Sequence, residues 1–491
     1  MGLRTSPNIG TVRVELVRDE VNKGVVMSEL PTIVVGAGLA GLSCARALLA
    51  AGREVILLEA RDRVGGRVEG GHLSDGTPIE LGGQWIGPGQ TRMAQLVEEL
   101  GLETFRTWND AGSILIDLGG KQSRMKPVKG AVPRLNPFAL ADLGQGLARF
   151  TKAASKVDLE RPWESPDAEL LDGQTFETSI RRNLRTLLAR AYCRVACEAV
   201  FSADAKDMSL LHALFYAHSG TDLETMLSTD AGAQQDRIVG GSVRIVEEVA
   251  RELGDRVRLG SPVRRIEQSG SGVVLETLTG ERLEGSHVVV TLPPTLAGRL
   301  DYDPPLPSWR DQLTQRLPAG SVIKVHASYP TPFWREAGLN GQAASDRGPV
   351  KVTFDNSPPD AGGGVAGSPG VLMGFLEGND ARVWARKPEG ERRAAVLECF
   401  VRYFGAAAAE PIDYIERDWM AEPYSRGCYG AHFTPGVWTA YGPALRESIG
   451  RIHWAGTECS PIWNGYMEGA VRSGEATAAE ILAAEVVSAT R

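Results

Sequence analysis

Cysteine is sparse in this 491-residue chain. Cys44, Cys193, Cys197, Cys399, Cys428 and Cys459 are scattered along it, and no two form a Cys-x-x-Cys pair. That spacing argues against a disulfide framework and against a zinc site. Cys193 and Cys197 in "AYCRVACEAV" read as core residues on one helix face. A reducing compartment, the cytoplasm, fits. A basic excess is lacking too: 53 Lys and Arg stand against 61 Asp and Glu, for a net charge of -8. With no basic stripe, nucleic acid is not an expected partner. No apolar run approaches the roughly 20 residues of a membrane span. The opening "MGLRTSPNIGTVRVELVRDE" has no apolar signal core, although Gly2 and Ser6 match the short myristoylation pattern. Residues 1–27 therefore read as an N-terminal extension, with no membrane anchor expected. The seven histidines form no triad or metal cluster, and no metal is expected. Lysine is scarce, since most of the basic residues are arginine. A lysine inside an apolar stretch therefore stands out.

What is present is a globular composition, 43% hydrophobic and 23% charged, on a chain too long for one core. "PTIVVGAGLAGLSCARALLAAGREVILLEA" (31–60) reads as strand, tight turn, helix and second strand. Gly36, Gly38 and Gly41 form G-x-G-x-x-G, with Leu39 and Ala40 opening the helix. The first glycine permits the turn, the second lets backbone approach a pyrophosphate, and the third lets helix and strand pack closely. The helix N-terminus offers free N–H groups to phosphate. Glu59, at the end of the second strand, can accept the hydroxyls of a ribose. The motif alone does not separate FAD from NAD, and the next segment helps. "ARDRVGGRVEGG" and "IELGGQWIGPGQ" supply a second glycine-rich pass, with Arg63, Arg67, Gly82, Gly83, Gln84 and Trp85. Such a pass suits a long, extended cofactor.

"GAGLAGL", "EARDRVGGR", "ELGGQWIG", "GSVIKV", "GCYG" and "WAGTECSPIWNGYMEGAVRSGEATAAEIL" together resemble the flavin-containing amine oxidase family, monoamine oxidases and their bacterial relatives above all. The likeness covers nearly all of residues 30–485. The fold class expected is α/β: a Rossmann-like, doubly wound FAD-binding domain interleaved with an α+β substrate-binding domain. The FAD domain is expected from residues 28–105, 228–300 and 420–491, and the substrate domain from 106–227 and 301–419. In the first of the latter blocks the residues read as helix-rich. "RIVGGSVRIVEEVARELGDRVRLGSPVRRIEQ" (237–268) reads as loop, amphipathic helix and strands, and "RIHWAG" (451–456) as a buried strand. The Gly/Pro-rich "DNSPPDAGGGVAGSPG" (355–370) reads as a turn or connection.

Lys324 in "AGSVIKVHASY" sits in a β-branched run. A lysine there is either an edge residue facing water or a buried amine, and a buried ammonium is costly unless paired or deprotonated. The resemblance implies that Lys324 reaches through a water toward N5 of the flavin. It implies that Cys428 meets the flavin 8α carbon, as a thioether in monoamine oxidases, whereas many bacterial relatives bind FAD noncovalently. The covalent form is the expectation here, although Arg426 replaces a usual glycine. It further implies that Tyr429 and Tyr466 wall an aromatic cage for the amine, which suits the negative faces of their rings. Gly456, Thr457 and Glu458 are implied to meet the ribityl and phosphate chain, Val263 the adenine, and Trp419 the flavin ring. The helix beginning near Met467 points its dipole at the flavin. Leu227, Gln234 and Val352 are implied to line the substrate cavity, and small Val352 widens its entrance.

The activity these features imply is FAD-dependent oxidation of a primary amine, aromatic amines included, to imine and aldehyde, with O2 reduced to H2O2. Three alternatives stay open: a secondary, cyclic or polyamine substrate; a desaturase or isomerase on a hydrophobic carbon skeleton; and a noncatalytic flavin-bound protein. A homodimer is carried as a candidate assembly.

Overall fold

The computed structural model describes residues 30–128, 133–360 and 369–489. The expectations for residues 1–27 and for the middle of the 355–370 connection fall outside the described residues.

Strand Thr32–Val35 and strand Val55–Leu58 flank helix Leu39–Ala50, as the sequence predicts. They sit in a five-stranded parallel sheet whose order is 257–258, 55–58, 32–35, 287–290, 452–454. The strands are runs such as "TIVV" and "HVVV", apolar on both faces, because both faces are covered. Val34, Leu57 and Val289 face a helical layer formed by Leu39–Ala50, Val243–Leu253 and Met467–Ala489. Ile33, Val35, Val288 and Val290 face the other way. There the cover is a four-stranded sheet in the order 282–285, 273–277, 263–268, 301–303, rather than a second layer of helices. The unit is Rossmann-like, with one helical face and one sheeted face.

The second large sheet has seven strands in the order 414–418, 322–329, 370–377, 350–355, 339–345, 113–118, 121–125. All its neighbours are antiparallel except 339–345 with 113–118. Residues 106–227 are thus less uniformly helical than expected, because two strands come first. The helices from Pro137–Ala154 to Leu210–Ser219 then form a separate apolar core, which includes Cys193 and Cys197. The expected loop at 237 opens with a short strand, Asp236–Ile238, that joins 85–86 and 104–106 in a three-stranded sheet.

Candidate active site

One cavity of 570 Å³ runs from the first glycine turn to the seven-stranded sheet. The first turn is dictated by sterics. Gly36 has φ +107°, and a Cβ on Gly41 would stand 1.9 Å from the Gly36 carbonyl oxygen. Gly41 therefore serves helix–turn packing and does not line the cavity, whereas Gly36, Gly38, Leu39 and Ala40 do. The second glycine-rich pass lies against the first: Gly65 N–H donates to the Ala37 carbonyl at 2.7 Å, and Gly38 bridges Gly65. A Cβ on Gly38 would meet only the Gly65 oxygen, at 3.9 Å, so the glycine leaves space in front of the backbone.

Glu59 is buried beside this turn. Its Oε2 accepts from Ala37 N–H at 2.8 Å and its Oε1 from Arg61 N–H at 3.0 Å. A carboxylate offers about four lone-pair sites, so acceptor capacity remains. Val263 lies at the same end, with Ser261 and Pro262. Arg67 lines the cavity through a bidentate pair with Glu458, at 2.6 and 3.0 Å, and also donates to the Tyr429 carbonyl at 2.7 Å. Glu458 is not a lining residue; it acts through Arg67. Burial alone would raise its carboxyl, but Arg67 and backbone donors hold it below the usual range. Gly83, Gln84, Trp85, Gly456, Thr457 and Met467 complete the lining between the two ends.

At the far end, Lys324 lies within the seven-stranded sheet, on a strand with neighbours on both sides, so the reading of an edge residue facing water is corrected. The alternation of strand Val322–Tyr329 puts Val322 and Lys324 on the cavity side and Ile323, Val325 and Ala327 in the core behind. The side chain is 3% exposed. Its Nζ donates to the Gly82 carbonyl at 2.8 Å and to Gln84 Oε1. An ammonium has three donors, so one is left for the cavity that Lys324 lines. Gln84 is itself oriented, since its amide donates to Asn356 at 2.9 Å, and Asn356 donates to Glu80 at 3.3 Å. Glu80 pairs with buried Arg237 at 2.9 Å. Burial lowers the lysine to about 7, with Glu80 opposing and Arg237 assisting. Sequence reading missed Glu80, Arg237 and Asn356. A charge at the end of "TPIE" gave no sign of being buried, because its partner comes from a distant strand.

Cys428 is buried with Trp419, Val322 and Phe375, and Trp419 is fixed by donating to the Leu81 carbonyl at 3.0 Å. Burial pushes the Cys428 thiol up to about 12, while Arg67 and Lys324 act in the opposite direction. Arg426 takes a left-handed φ of +58° and still leaves Cys428 in the cavity wall. Tyr429 and Tyr466 both line this end. Tyr429 stands edge-on to Phe375 at 6.0 Å, and Tyr466 is braced edge-on by Trp463 at 5.0 Å. Beyond them lie Leu227, Gln234 and Val352, with Ile114, Ile116 and Tyr192. Gln234 donates to the Met226 carbonyl at 2.7 Å and leaves its buried Oε1 without a partner among the described residues.

Residues 39–482 match the model of the flavin-containing amine oxidoreductases. The chain belongs to that family. It is similar to AofH, named as a flavin-containing monoamine oxidase, of Mycobacterium tuberculosis: 40% identity over 451 residues, 92% of this chain and 96% of that one. Among solved structures, cyclohexylamine oxidase from Brevibacterium oxydans matches with a TM-score of 0.87 at 32% identity, over 92% of this chain and 99% of that one. Putrescine oxidase bound to putrescine matches with a TM-score of 0.86 at 33% identity, over the same shares. The chain is thus a flavin-dependent amine oxidase, an oxidoreductase acting on small-molecule amines. Among the described residues, no helix is long and apolar enough to cross a membrane, and no cluster of three metal-ligating side chains occurs.

The residues present fit such a cofactor. The open space before Gly38, the spare acceptor capacity of Glu59 and the half-buried Arg67 suit a dinucleotide along one half of the cavity. The buried amine of Lys324 and the aromatic walls suit a redox ring at the other.

Proposed function

We propose that this amine oxidase acts on apolar monoamines, primary amines foremost, and holds FAD with its redox ring at the end lined by Lys324, Trp419, Cys428, Tyr429 and Tyr466. The observation that carries the substrate class is the distribution of charge in the cavity. Glu59, at the nucleotide end, is the one carboxylate among the lining residues, and Arg61, Arg264 and Arg299 lie toward that end too. Arg67 is already paired with Glu458. The substrate end therefore offers no acid for the second ammonium of a diamine and no free guanidinium for the carboxylate of an amino acid. Burying either charge unpaired costs several kcal/mol. An apolar amine has no such group to desolvate.

FAD held there would supply the acceptor for hydride from the amine's α-carbon, with the electrons going on to O2 as H2O2. The chain's own part is placement. Tyr429 and Tyr466 present ring faces that hold the amine nitrogen and fix the direction of its C–H bond, a large share of rate enhancement. Gln234 Oε1 is available to accept an N–H of the substrate. Lys324, whose third donor is free, orders a water or carries a proton beside the ring. Cys428, in the same wall, is placed for a thioether to the flavin; burial and Glu458 favour its thiol, and Arg67 and Lys324 oppose them. The discontinuous division of the chain into a FAD unit and a substrate unit belongs to the same reading, with the cavity lined from both. The test is peroxide release on an amine panel. Benzylamine- and cyclohexylamine-type substrates should exceed putrescine and amino acids by about tenfold or more, since an unpaired charge is left buried otherwise. Equal or faster peroxide release with putrescine would overturn the substrate class.

A further inference from the structure

The two tyrosines of the proposed cage are held in different ways. Tyr466 is held by rings: Trp463 edge-on at 5.0 Å and Tyr216 tilted at 6.0 Å. Tyr429 has Phe375 on one side, and its hydroxyl donates to Glu377 Oε1 at 2.8 Å. Glu377 closes strand Gly370–Glu377, opposite Val322 two residues from Lys324, and has no exposed surface. Its other oxygen, Oε2, has no hydrogen-bond partner among the described residues.

A fully buried carboxyl needs a reason, since an ionised one is heavily penalised without a paired cation. Lys351 is the cation facing it, and Lys351 is engaged with Asp380 at 2.8 Å. Glu198 faces it as a second buried acid. Desolvation first, then Glu198, holds the Glu377 carboxyl well above the usual carboxylate range, against the pull of Tyr429 and Lys351. Burial therefore favours its neutral form. A neutral carboxyl puts no charge behind the cage and still offers the phenol an acceptor. A hydrophobic residue would fill the space but leave the tyrosine hydroxyl without that acceptor, and a free phenol ring can tilt.

We infer that Glu377 is a positioning residue of the amine cage: its carboxyl anchors the Tyr429 hydroxyl and so fixes the ring that meets the substrate. The inference rests on the reading of Tyr429 as a cage wall. Phe375 and Glu377 then form one support, the first through its ring and the second through a hydrogen bond. Both come from the strand paired with the one that carries Lys324.

The experiment uses the flavin-loaded enzyme and five variants: Glu377→Gln, Glu377→Leu, Tyr429→Phe, Tyr429→Ala and the double variant Glu377→Leu with Tyr429→Phe. Each is read by kcat and KM for benzylamine, by flavin content, and by the dissociation constant of a nonreactive aromatic amine followed through the flavin spectrum. Glu377→Gln keeps an acceptor oxygen and should stay close to the parent. Glu377→Leu and Tyr429→Phe should each weaken amine binding and kcat/KM by about threefold to tenfold, the worth of one neutral hydrogen bond, with flavin content unchanged. The double variant should be no worse than either alone, because both remove the same bond. If Glu377→Leu binds and turns over amine like the parent while Tyr429→Ala loses turnover, Glu377 is only a packed residue and the inference fails. If Tyr429→Ala itself turns over normally, the cage reading fails first. Should Glu377→Leu not fold, Tyr429→Phe carries the test from the other side of the bond, and unchanged amine affinity there overturns the inference.

Discussion

The two ends of the cavity are built by opposite means. The nucleotide end is mostly backbone: Gly36, Gly38, Gly65 and Gly66 come from one stretch of about 30 residues, and Glu59 locks it by accepting the Ala37 N–H. The reaction end is mostly side chains, and Tyr216, Gln234, Lys324, Val352, Tyr429 and Tyr466 come from six separated positions. At the first end, chain connectivity holds the pieces in place. At the second, only tertiary packing does, through the Lys324–Gln84–Asn356–Glu80 network and the Glu377–Tyr429 bond. A site made of local backbone tolerates side-chain changes nearby, whereas a site made of convergent side chains depends on each support.

That contrast is most sharply tested at Tyr466. Replacing it with alanine removes a wall that no local backbone can replace, and kcat/KM for amine should fall by about a hundredfold, as a misplaced reactant does. Steady-state peroxide assays check this, and a fall of only a few-fold would show that the wall lies elsewhere. The next test joins the two ends. Acid precipitation of the parent should leave flavin with the pellet and its mass on the peptide containing Cys428; Cys428→Ala should release it. In that Cys428→Ala background, Glu59→Ala should weaken FAD by about tenfold or more, the loss of charged hydrogen bonds. Flavin found wholly in the parent supernatant would make Cys428 a buried wall residue only.

The smallest effect concerns Lys324. Its folded value is lowered from 10.5 to about 7, so above pH 7 the folded chain has released a proton that the unfolded chain still holds. Stability from this group therefore rises with pH from about 7 toward 10.5. Lys324→Met should flatten that rise by on the order of 1 kcal/mol between pH 7 and 8.5. Above that window Cys428 and the buried tyrosines, all raised, act in the opposite sense. Denaturation of parent and variant at both pH values measures it. Parallel pH dependences would mean that the hydrogen bonds to Gly82 and Gln84 keep Lys324 charged.

Much of the reaction end could be named from motifs, yet its supports could not. "SVIKV" marks Lys324 as unusual because a lysine sits among β-branched residues. Nothing in "FLEG" marks Glu377, because a glutamate before a glycine is most often an exposed loop residue. Likewise Glu458 reads as a direct contact, but it stands behind Arg67. In each case the residue type is right for a buried role, and its distance from the cavity is set by neighbours far away in sequence.

By itself the sequence determined the βαβ unit, the glycine turn and the acid at the end of the second strand. These follow from φ restrictions, helix and strand periodicity and contacts within a few dozen residues. Only the tertiary structure decided which face of the parallel sheet carries helices and which carries a second sheet. It alone brought Lys324 against Gln84, left the cavity beside Lys324 without a lining carboxylate and set Glu377 behind Tyr429. Those outcomes depend on pairings between strands and loops tens to hundreds of residues apart, and burial, which sets the cost of every charge at the site, exists only once the chain has closed around it.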